Sequence, residues 1–491
     1  MLKKSHLIML AIGALLSAGG YLLWSTLFYR LGYPLDDAWI YQTYARNLAQ
    51  SGMWAFVPGV PSGGSTGPLW ALLLSAGYLL RLDHFLWSYL LGSAALFALG
   101  VTGIWGVRTL NPEVGKLSLL AGAALIFEWH LTWAAGSGME TALSGMLAAG
   151  VLVYLLRTEI TPRAWFLLGL TIGASIWVRP DGLLLLAPAG FALLLGYGRT
   201  WRTKFRDGAL LLAGFGLLFG LYLLFNQAIA GTIWPNTFYA KQAEYAKLQT
   251  IPLIRRYVQQ LLLPLTGVGI VLLPGFLLSL AESIRQRRWA RLGVFLWFFG
   301  YLGAFAWRLP VTYQHGRYVM PAMPIFFILG LAGTLKWSRA HWDGAQMFPR
   351  VLAKTWLLLT LLVSGIFWFL GANAFARDTA IIETEMVASA QWIATYTEPG
   401  AVVAAHDIGA LGYFGGREII DLAGLISPEV IPFIRDENQL AAYLDSQDAD
   451  YLMTFPDWYP ALTAQAFLVY QTQGEFSPKA GGENIAVYRW R

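Results

Sequence analysis

Six short clusters in this 491-residue chain carry side chains able to do chemistry in an otherwise apolar sequence. Asp36 and Asp37 follow Tyr33-Pro34-Leu35 just beyond the first apolar run. A paired carboxylate there can take a proton from a hydroxyl or hold a divalent cation. The same position also suits an Asp36 side chain that caps a helix while Asp37 complements its dipole. Glu140, in Gly136-Ser137-Gly138-Met139-Glu140, opens another apolar run, where helix-start stabilisation competes with a functional role. Arg179-Pro180-Asp181-Gly182 reads as a turn with a local ion pair. Trp234-Pro235-Asn236-Thr237-Phe238-Tyr239-Ala240-Lys241 joins a turn, aromatics and one lysine, which a snorkelling side chain also explains. His315-Gly316-Arg317-Tyr318 sets two cationic-capable side chains beside a glycine, a pattern suited to a phosphate leaving group as well as to an interfacial anchor. His406-Asp407 resembles a hydrolase dyad, but neighbours on a strand point to opposite faces and are not expected to pair.

The elements that position these groups lie in a membrane. Hydrophobic residues make up 57% of the chain and charged residues only 13%, against roughly 25% charged in a soluble domain. The run Leu7–Phe28 follows Lys3 and Lys4 and outlasts a signal-peptide core, so it reads as an uncleaved first span. Ten more runs follow, at 85–107, 117–133, 139–156, 164–178, 183–197, 210–228, 258–280, 292–307, 319–335 and 355–375. The segment 69–80 is apolar but short. Loop charge decides whether it crosses: with eleven spans, more than half of the 34 lysines and arginines, including the clusters at 199–206 and 285–291, fall on the inner side. A twelfth span would put those clusters outside. The segment 69–80 is therefore expected to be a half-helix or interfacial helix.

The predicted fold class is an α-helical polytopic membrane protein of about eleven transmembrane helices (1–378) with a C-terminal extracytoplasmic α/β domain (379–491). External loops run over 29–84 and 229–257. Within the first loop, Asp37–Gln50 reads as amphipathic, with Tyr41, Tyr44, Ala45 and Leu48 on one face. In the tail, helical patterns at 381–395 and 439–446 alternate with strand-like 401–405, 418–421 and 451–455. The absence of cysteine excludes disulfides, thiolate metal sites and cysteine nucleophiles. A net charge of +6 reflects loops facing the inner side rather than nucleic-acid binding. No P-loop and no His-Glu-x-x-His pattern occurs, which counts against ATP-driven transport and zinc peptidase chemistry.

Asp36-Asp37-Ala38-Trp39-Ile40, Tyr44-Ala45-Arg46-Asn47-Leu48 and Gly63-Gly64-Ser65-Thr66-Gly67-Pro68-Leu69-Trp70 together resemble the first external loop of the GT-C superfamily of glycosyltransferases. The likeness is greatest to the branch of the mycobacterial terminal arabinofuranosyltransferase, and it continues through the patches at 138–143, 179–182, 235–241 and 315–318 into 407–414. The resemblance implies a glycosyltransferase that moves a monosaccharide, arabinofuranose or mannose among those that fit, from a polyprenyl-phosphate donor. The acceptor would be an envelope glycan, lipid or protein at the outer face of the inner membrane. It further implies that Asp36 and Asp37 are catalytic, with Asp36 taken as the base, and that Lys241 and Arg317 hold the phosphate. Arg46, Glu140, Arg179, Asp181, Asn236, Tyr239, His315 and Tyr318, in the matching patches, become expected donor-site residues. Some members of the superfamily bind a divalent cation, Mg or Mn, and others do not. Asp36 and Asp37 would be the ligands here, and no cofactor is assigned. The rival reading is a transporter or flippase of lipid-linked sugars. Paired internal repeats and broken helices at the bilayer midplane would mark one, whereas the polar clusters here gather at one face.

Overall fold

The computed structural model describes residues 2–198 and 200–490. Arg199, counted in the basic cluster 199–206, lies outside the described residues. The apolar runs fold into helices of bilayer length wherever no proline, glycine or polar cap interrupts them. The first is α1 (Lys4–Phe28), about 37 Å long at 1.5 Å per residue, against a hydrocarbon core of about 30 Å. The loop that follows holds α2 (Asp37–Ser51), the short antiparallel pair β1 (Ala55–Val57) and β2 (Val60–Pro61), and α3 (Pro68–Leu79). At 12 residues α3 spans only about 18 Å, too short to cross. Next come α4 (His84–Leu110), α5 (Ser118–Ile126), α6 (Trp129–Gly136), α7 (Thr141–Leu155), α8 (Pro162–Val178) and α9 (Leu186–Phe191). After these lie α10 (Trp201–Ala230), α11 (Asn236–Glu244), α12 (Leu253–Leu262), α13 (Val268–Arg285), α14 (Trp289–Arg308), α15 (Met323–His341) and α16 (Met347–Ile382).

Among the described residues seven helices are long and apolar enough to cross a membrane, or eight if the pair bent by 53° between α5 and α6 is one span. The protein is thus a multi-pass membrane protein. That bend has a local cause: Glu128 Oε2 accepts from the Leu131 N–H at 3.0 Å and so starts a new helix inside the run 117–133. The expected spans at 139–156, 164–178 and 183–197 form apolar helices of 15 to 17 residues, Thr141–Leu155, Pro162–Val178 and Pro180–Gly196, shorter than the roughly 20 residues of a standard span. Small residues bring neighbouring helices together, as where Gly169 of α8 and Gly214 of α10 each lie against the other helix's backbone.

Two expectations need correction. The run 258–280 is not one helix. Pro264 and Gly267, at φ +82, divide it into α12 and α13. In α12 Arg256 and Gln260 face inward, where Arg256 Nη1 donates to the carbonyls of Ala306 (2.9 Å) and Trp307 (3.2 Å) and Gln260 Nε2 to that of Val311 (3.2 Å). Its apolar side chains Ile254, Val258 and Leu262 point outward. The second correction concerns α2, which is not amphipathic in its setting. Residues Ala38–Ala45 are buried on every face, because α3 packs on one side and the chain's C-terminal part covers the other.

That C-terminal part is a small sheet domain on a helical stalk. α16 runs through a π-turn at Glu383–Val387 into α17 (Ala388–Tyr396), so the helix expected at 381–395 continues the last span rather than starting afresh. Strands β3 (Val402–Ala405), β4 (Glu418–Asp421) and β5 (Tyr451–Thr454) fall within the strand-like segments. β6 (Phe467–Gln471) and β7 (Ala486–Arg489) complete a five-stranded sheet of order β4-β3-β5-β7-β6, with β3 parallel to both neighbours. α18 (Glu437–Ser446) begins at Asp436, whose carboxylate accepts from the N–H groups of Asn438 and Gln439 at 3.1 Å. The fully buried Glu385 ties sheet to stalk by accepting from the Ile485 N–H at 2.9 Å and the Asn484 amide at 3.0 Å.

Candidate active site

Asp36 and Asp37 sit at the start of α2 with their carboxylates facing different partners. Asp36 does not cap the helix. Its Oδ2 accepts from the Gly409 N–H at 2.7 Å and its Oδ1 from the Ala410 N–H at 2.8 Å, both in the turn after β3. Gly409 lies so close to the Asp36 carbonyl and carboxylate that a Cβ would strike both. Burial pushes the Asp36 carboxyl up to about 6; the two amide bonds oppose the rise and the charge on Asp37 adds to it. Burial also acts to raise Asp37, but Arg317 and Lys241 outweigh it and hold that carboxyl down at about 2. Arg317 Nη2 is 2.7 Å and Lys241 Nζ 3.7 Å from Asp37 Oδ2. At neutral pH both acids are ionised, and Asp36 is the more basic.

The cations come from separate elements, 76 residues apart in the chain. Lys241 lies on α11 and Arg317 follows a turn in which Gln314 (φ 53), His315 (φ 57) and Gly316 (φ 71) are all left-handed. For the two non-glycine residues such a conformation costs roughly 1–2 kcal/mol each. The turn is held by His315, whose Nε2 meets Asp378 Oδ2 at 2.7 Å. The Tyr318 ring has Arg317 Cζ at 5.0 Å, Lys241 Nζ at 5.3 Å and Arg179 Cζ at 5.9 Å from its centre, so one aromatic face gathers three cations. Arg317 is 6% exposed, yet its Nε and Nη1 find no partner among the described residues. Buried donors of this kind are costly unless a ligand satisfies them.

Two cavities meet at Asp37, Lys241 and Arg317. The first, about 360 Å³, has walls of Leu183, Leu184, Trp234, Phe238, Phe305 and Leu309 and a polar floor of Glu140, Arg179 and Asp181. Arg179 Nε lies 3.0 Å from Asp181 and Nη1 3.6 Å from Glu140, so the local ion pair read from the sequence is present and faces the cavity. Tyr301 donates a short hydrogen bond to Asp181. The second cavity, about 550 Å³, holds Asp36 and runs beneath the sheet domain past Glu244, His406, Asp407, Arg435 and Trp458.

Of the residues expected at the donor site, Glu140, Arg179, Asp181, Lys241, Arg317 and Tyr318 line the first cavity, while Arg46, Asn236, Tyr239 and His315 line neither. Arg46 donates to the carbonyls of Tyr413 (2.7 Å) and Gly412 (3.2 Å) and so fastens α2 to the sheet domain. The Asn236 amide donates to the Leu425 carbonyl at 3.1 Å. Tyr239 packs edge-on against Phe238 and is more than a third exposed. His406 and Asp407 both face the second cavity, because β3 ends at Ala405 and strand alternation no longer separates them. His406 Nδ1 instead meets the Tyr459 hydroxyl at 2.7 Å. Burial raises Asp407 well above the carboxylate range, with Asp36 and Asp37 adding to it. Glu244, Arg435 and Trp458 lay in no recognisable pattern, since only the docking of the sheet domain brings them to the site. Asp36 gives each oxygen to one N–H group, Asp37 faces two cations, and no group of three metal-ligating side chains occurs among the described residues.

The bundle of apolar helices with a small C-terminal sheet domain is the fold of the GT-C membrane glycosyltransferases, as solved structures of three such enzymes show. ArnT from Cupriavidus metallidurans bound to undecaprenyl phosphate aligns with a TM-score of 0.58 at 15% identity, over 100% of this chain and 99% of that one. AglB, an oligosaccharyltransferase from Archaeoglobus fulgidus, in complex with an inhibitory peptide and a dolichol-phosphate, aligns with a TM-score of 0.62 at 11% identity, over 92% and 69%. The same archaeal oligosaccharyltransferase has been solved with Zn and sulfate. The arabinofuranosyltransferase AftD from Mycobacteria aligns with a TM-score of 0.51 at 16% identity, over 97% of this chain and 41% of that one. A family model described as a domain of unknown function (DUF8728) matches residues 378–488, and no curated protein matches the sequence.

Proposed function

We propose that this chain transfers a monosaccharide from a polyprenyl-phosphate donor to an acceptor hydroxyl at the outer face of the cytoplasmic membrane. The transmembrane part (1–378) would carry the donor site, and the C-terminal domain (379–491) would lie outside with the acceptor side of the cavity. The observation that carries this reading is Arg317, a buried guanidinium with two nitrogens that have no partner among the described residues, set beside Lys241 where an apolar cavity meets a more polar one. A phosphate with an apolar tail satisfies both features at once: its oxygens accept from Arg317 and Lys241, and the isoprenoid lies against Trp234, Phe238 and Leu309. ArnT and AglB, which share the fold, have been solved with undecaprenyl phosphate and dolichol-phosphate.

In the reaction the bond from sugar C1 to the phosphate oxygen breaks and a bond from C1 to the acceptor oxygen forms. The acceptor proton passes to the Asp36 carboxylate, and the electron pair leaves with the phosphate. Asp36 suits the base because it is the more basic acid and faces the polar cavity. Asp37 suits a different task, holding Arg317 and Lys241 in place before the phosphate arrives. Glu140 and Arg179 lie where they can accept from and donate to hydroxyls of the donor sugar.

The test is release of polyprenyl phosphate by purified protein supplied with polyprenyl-phospho-sugars and envelope acceptors. Arg317→Ala should slow release by at least about 100-fold, the low end for losing one charge-stabilising donor. Arg317→Lys, which keeps charge but loses the planar fork, should fall between. Normal donor binding and turnover in Arg317→Ala would remove this residue from the site. Failure of the wild type to release polyprenyl phosphate with any acceptor would favour a transporter of lipid-linked sugars.

A further inference from the structure

The second cavity has a wall made by the C-terminal domain, and its side chains are of a particular kind. Trp458 is 38% exposed although its indole is braced by Phe455 at 5.0 Å and His406 at 5.1 Å between ring centres. A large ring held rigid and left partly open is a stacking platform. On the other side of His406, Glu244 ends α11 with Oε2 buried and without a hydrogen-bond partner among the described residues. Its other oxygen pairs directly with Arg435, and His406 Nε2 lies 3.8 Å away. Burial holds His406 at about 4, so it is a neutral donor and acceptor at physiological pH.

We propose that this cavity is a saccharide-binding site formed where the C-terminal domain meets the loops of the helical bundle, and that the acceptor is a glycan rather than a peptide or a lipid headgroup. The proposal deepens the transferase reading and rests on it for the word acceptor. Vicinal hydroxyls need planar groups that accept and donate in pairs, which Glu244 and Arg435 provide. The apolar C–H face of a sugar ring needs an aromatic surface, which Trp458 provides. At about 550 Å³ the space falls within the roughly 300–1,000 Å³ of small-ligand cavities, and the Asp36 carboxylate lies on its wall, so a bound sugar hydroxyl can reach the base. A peptide held in extended form pairs with a free strand edge. β3, whose C-terminal end leads into the cavity, is paired on both sides, by β4 and β5. The second cavity also carries apolar side chains, among them Leu35, Ile382 and Met386, so the choice of a sugar over a lipid headgroup rests on the Trp458 platform beside the Glu244–Arg435 pair.

The experiment uses the full chain in nanodiscs, without donor, and measures binding by saturation-transfer NMR. The probes are hexopyranosyl and pentofuranosyl trisaccharide methyl glycosides, a serine- and threonine-containing octapeptide, and a short-chain phosphatidylglycerol. At least one trisaccharide should bind saturably. Trp458→Ala and Arg435→Ala should each weaken it at least about tenfold, as for a buried anchor of a binding site. Trp458→Tyr, which keeps a ring, should stay within about threefold of wild type, and Phe467→Ser on the exposed edge strand β6 should match wild type. Binding of the octapeptide or the lipid but of no trisaccharide, or trisaccharide binding unchanged in Trp458→Ala and Arg435→Ala, would overturn the proposal. Because no donor is present, trisaccharide binding by a protein that releases no polyprenyl phosphate refutes transfer and leaves the saccharide site standing.

Discussion

Asp36→Asn separates the two tasks that the carboxylate performs. The side chain accepts from two N–H groups at 2.7 and 2.8 Å, and an asparagine has one oxygen to offer. Its amide nitrogen must face either the Gly409 or the Ala410 N–H, so one hydrogen bond to a charged acceptor is lost and a donor is left against a donor. The first effect costs about 1.5–3 kcal/mol and the second about 1–3 kcal/mol, so the turn after β3 should loosen by several kcal/mol while the helical bundle stays folded. Limited proteolysis should therefore cut the 406–416 segment faster in the variant. Loss of the base should slow transfer by at least about 100-fold, the low end for general-base catalysis. A pH profile distinguishes the effects. Asp36 must be unprotonated to act, and burial places its carboxyl at about 6, so wild-type kcat/KM should rise with pH through that value and level off above it. A loosened turn alone would lower the plateau and keep the ascending limb, whereas removal of the base abolishes the limb. Transfer at the wild-type rate in purified Asp36→Asn, or an unaltered limb, would refute the assignment of the base.

Two further outcomes follow from the same geometry. Gly409→Ala leaves Asp36 chemically intact but puts a methyl into its carbonyl and carboxylate, so it should reproduce the proteolytic sensitivity while keeping the ascending pH limb; wild-type resistance to cleavage would show that the close approach is not needed. Topology is testable because the chain has no cysteine: an impermeant thiol reagent on intact cells should label Ser446→Cys in the C-terminal domain and spare Thr203→Cys in the basic loop, and the reverse labelling would invert the arrangement.

Much of the architecture was legible in the sequence because its signals are local. Hydropathy over about 20 residues marks a span, and the strands at 402–405, 418–421 and 451–454 show as short, mostly apolar runs next to turn residues. The acid pair and the clusters at 140, 179–181, 241 and 317–318 stood out for a related reason, since ionisable groups bordering apolar runs are rare. Local pattern misled where the setting reverses its meaning: α2 looks amphipathic but is covered on all sides, and Pro264 with Gly267 divides a run whose hydropathy alone suggests one helix.

Tertiary structure alone decided which partners each acid meets. Asp36 and Asp37 are neighbours of the same type, and nothing within the sequence around them distinguishes their basicity. One meets amides 373 and 374 residues further on, at Gly409 and Ala410, and is buried without a cation; the other meets Lys241 and Arg317. A carboxylate's proton affinity depends on burial and on charges within a few ångströms, and those partners are brought close only when the bundle folds and the sheet domain docks. His315 turned to Asp378, and Glu244 found Arg435, for the same reason.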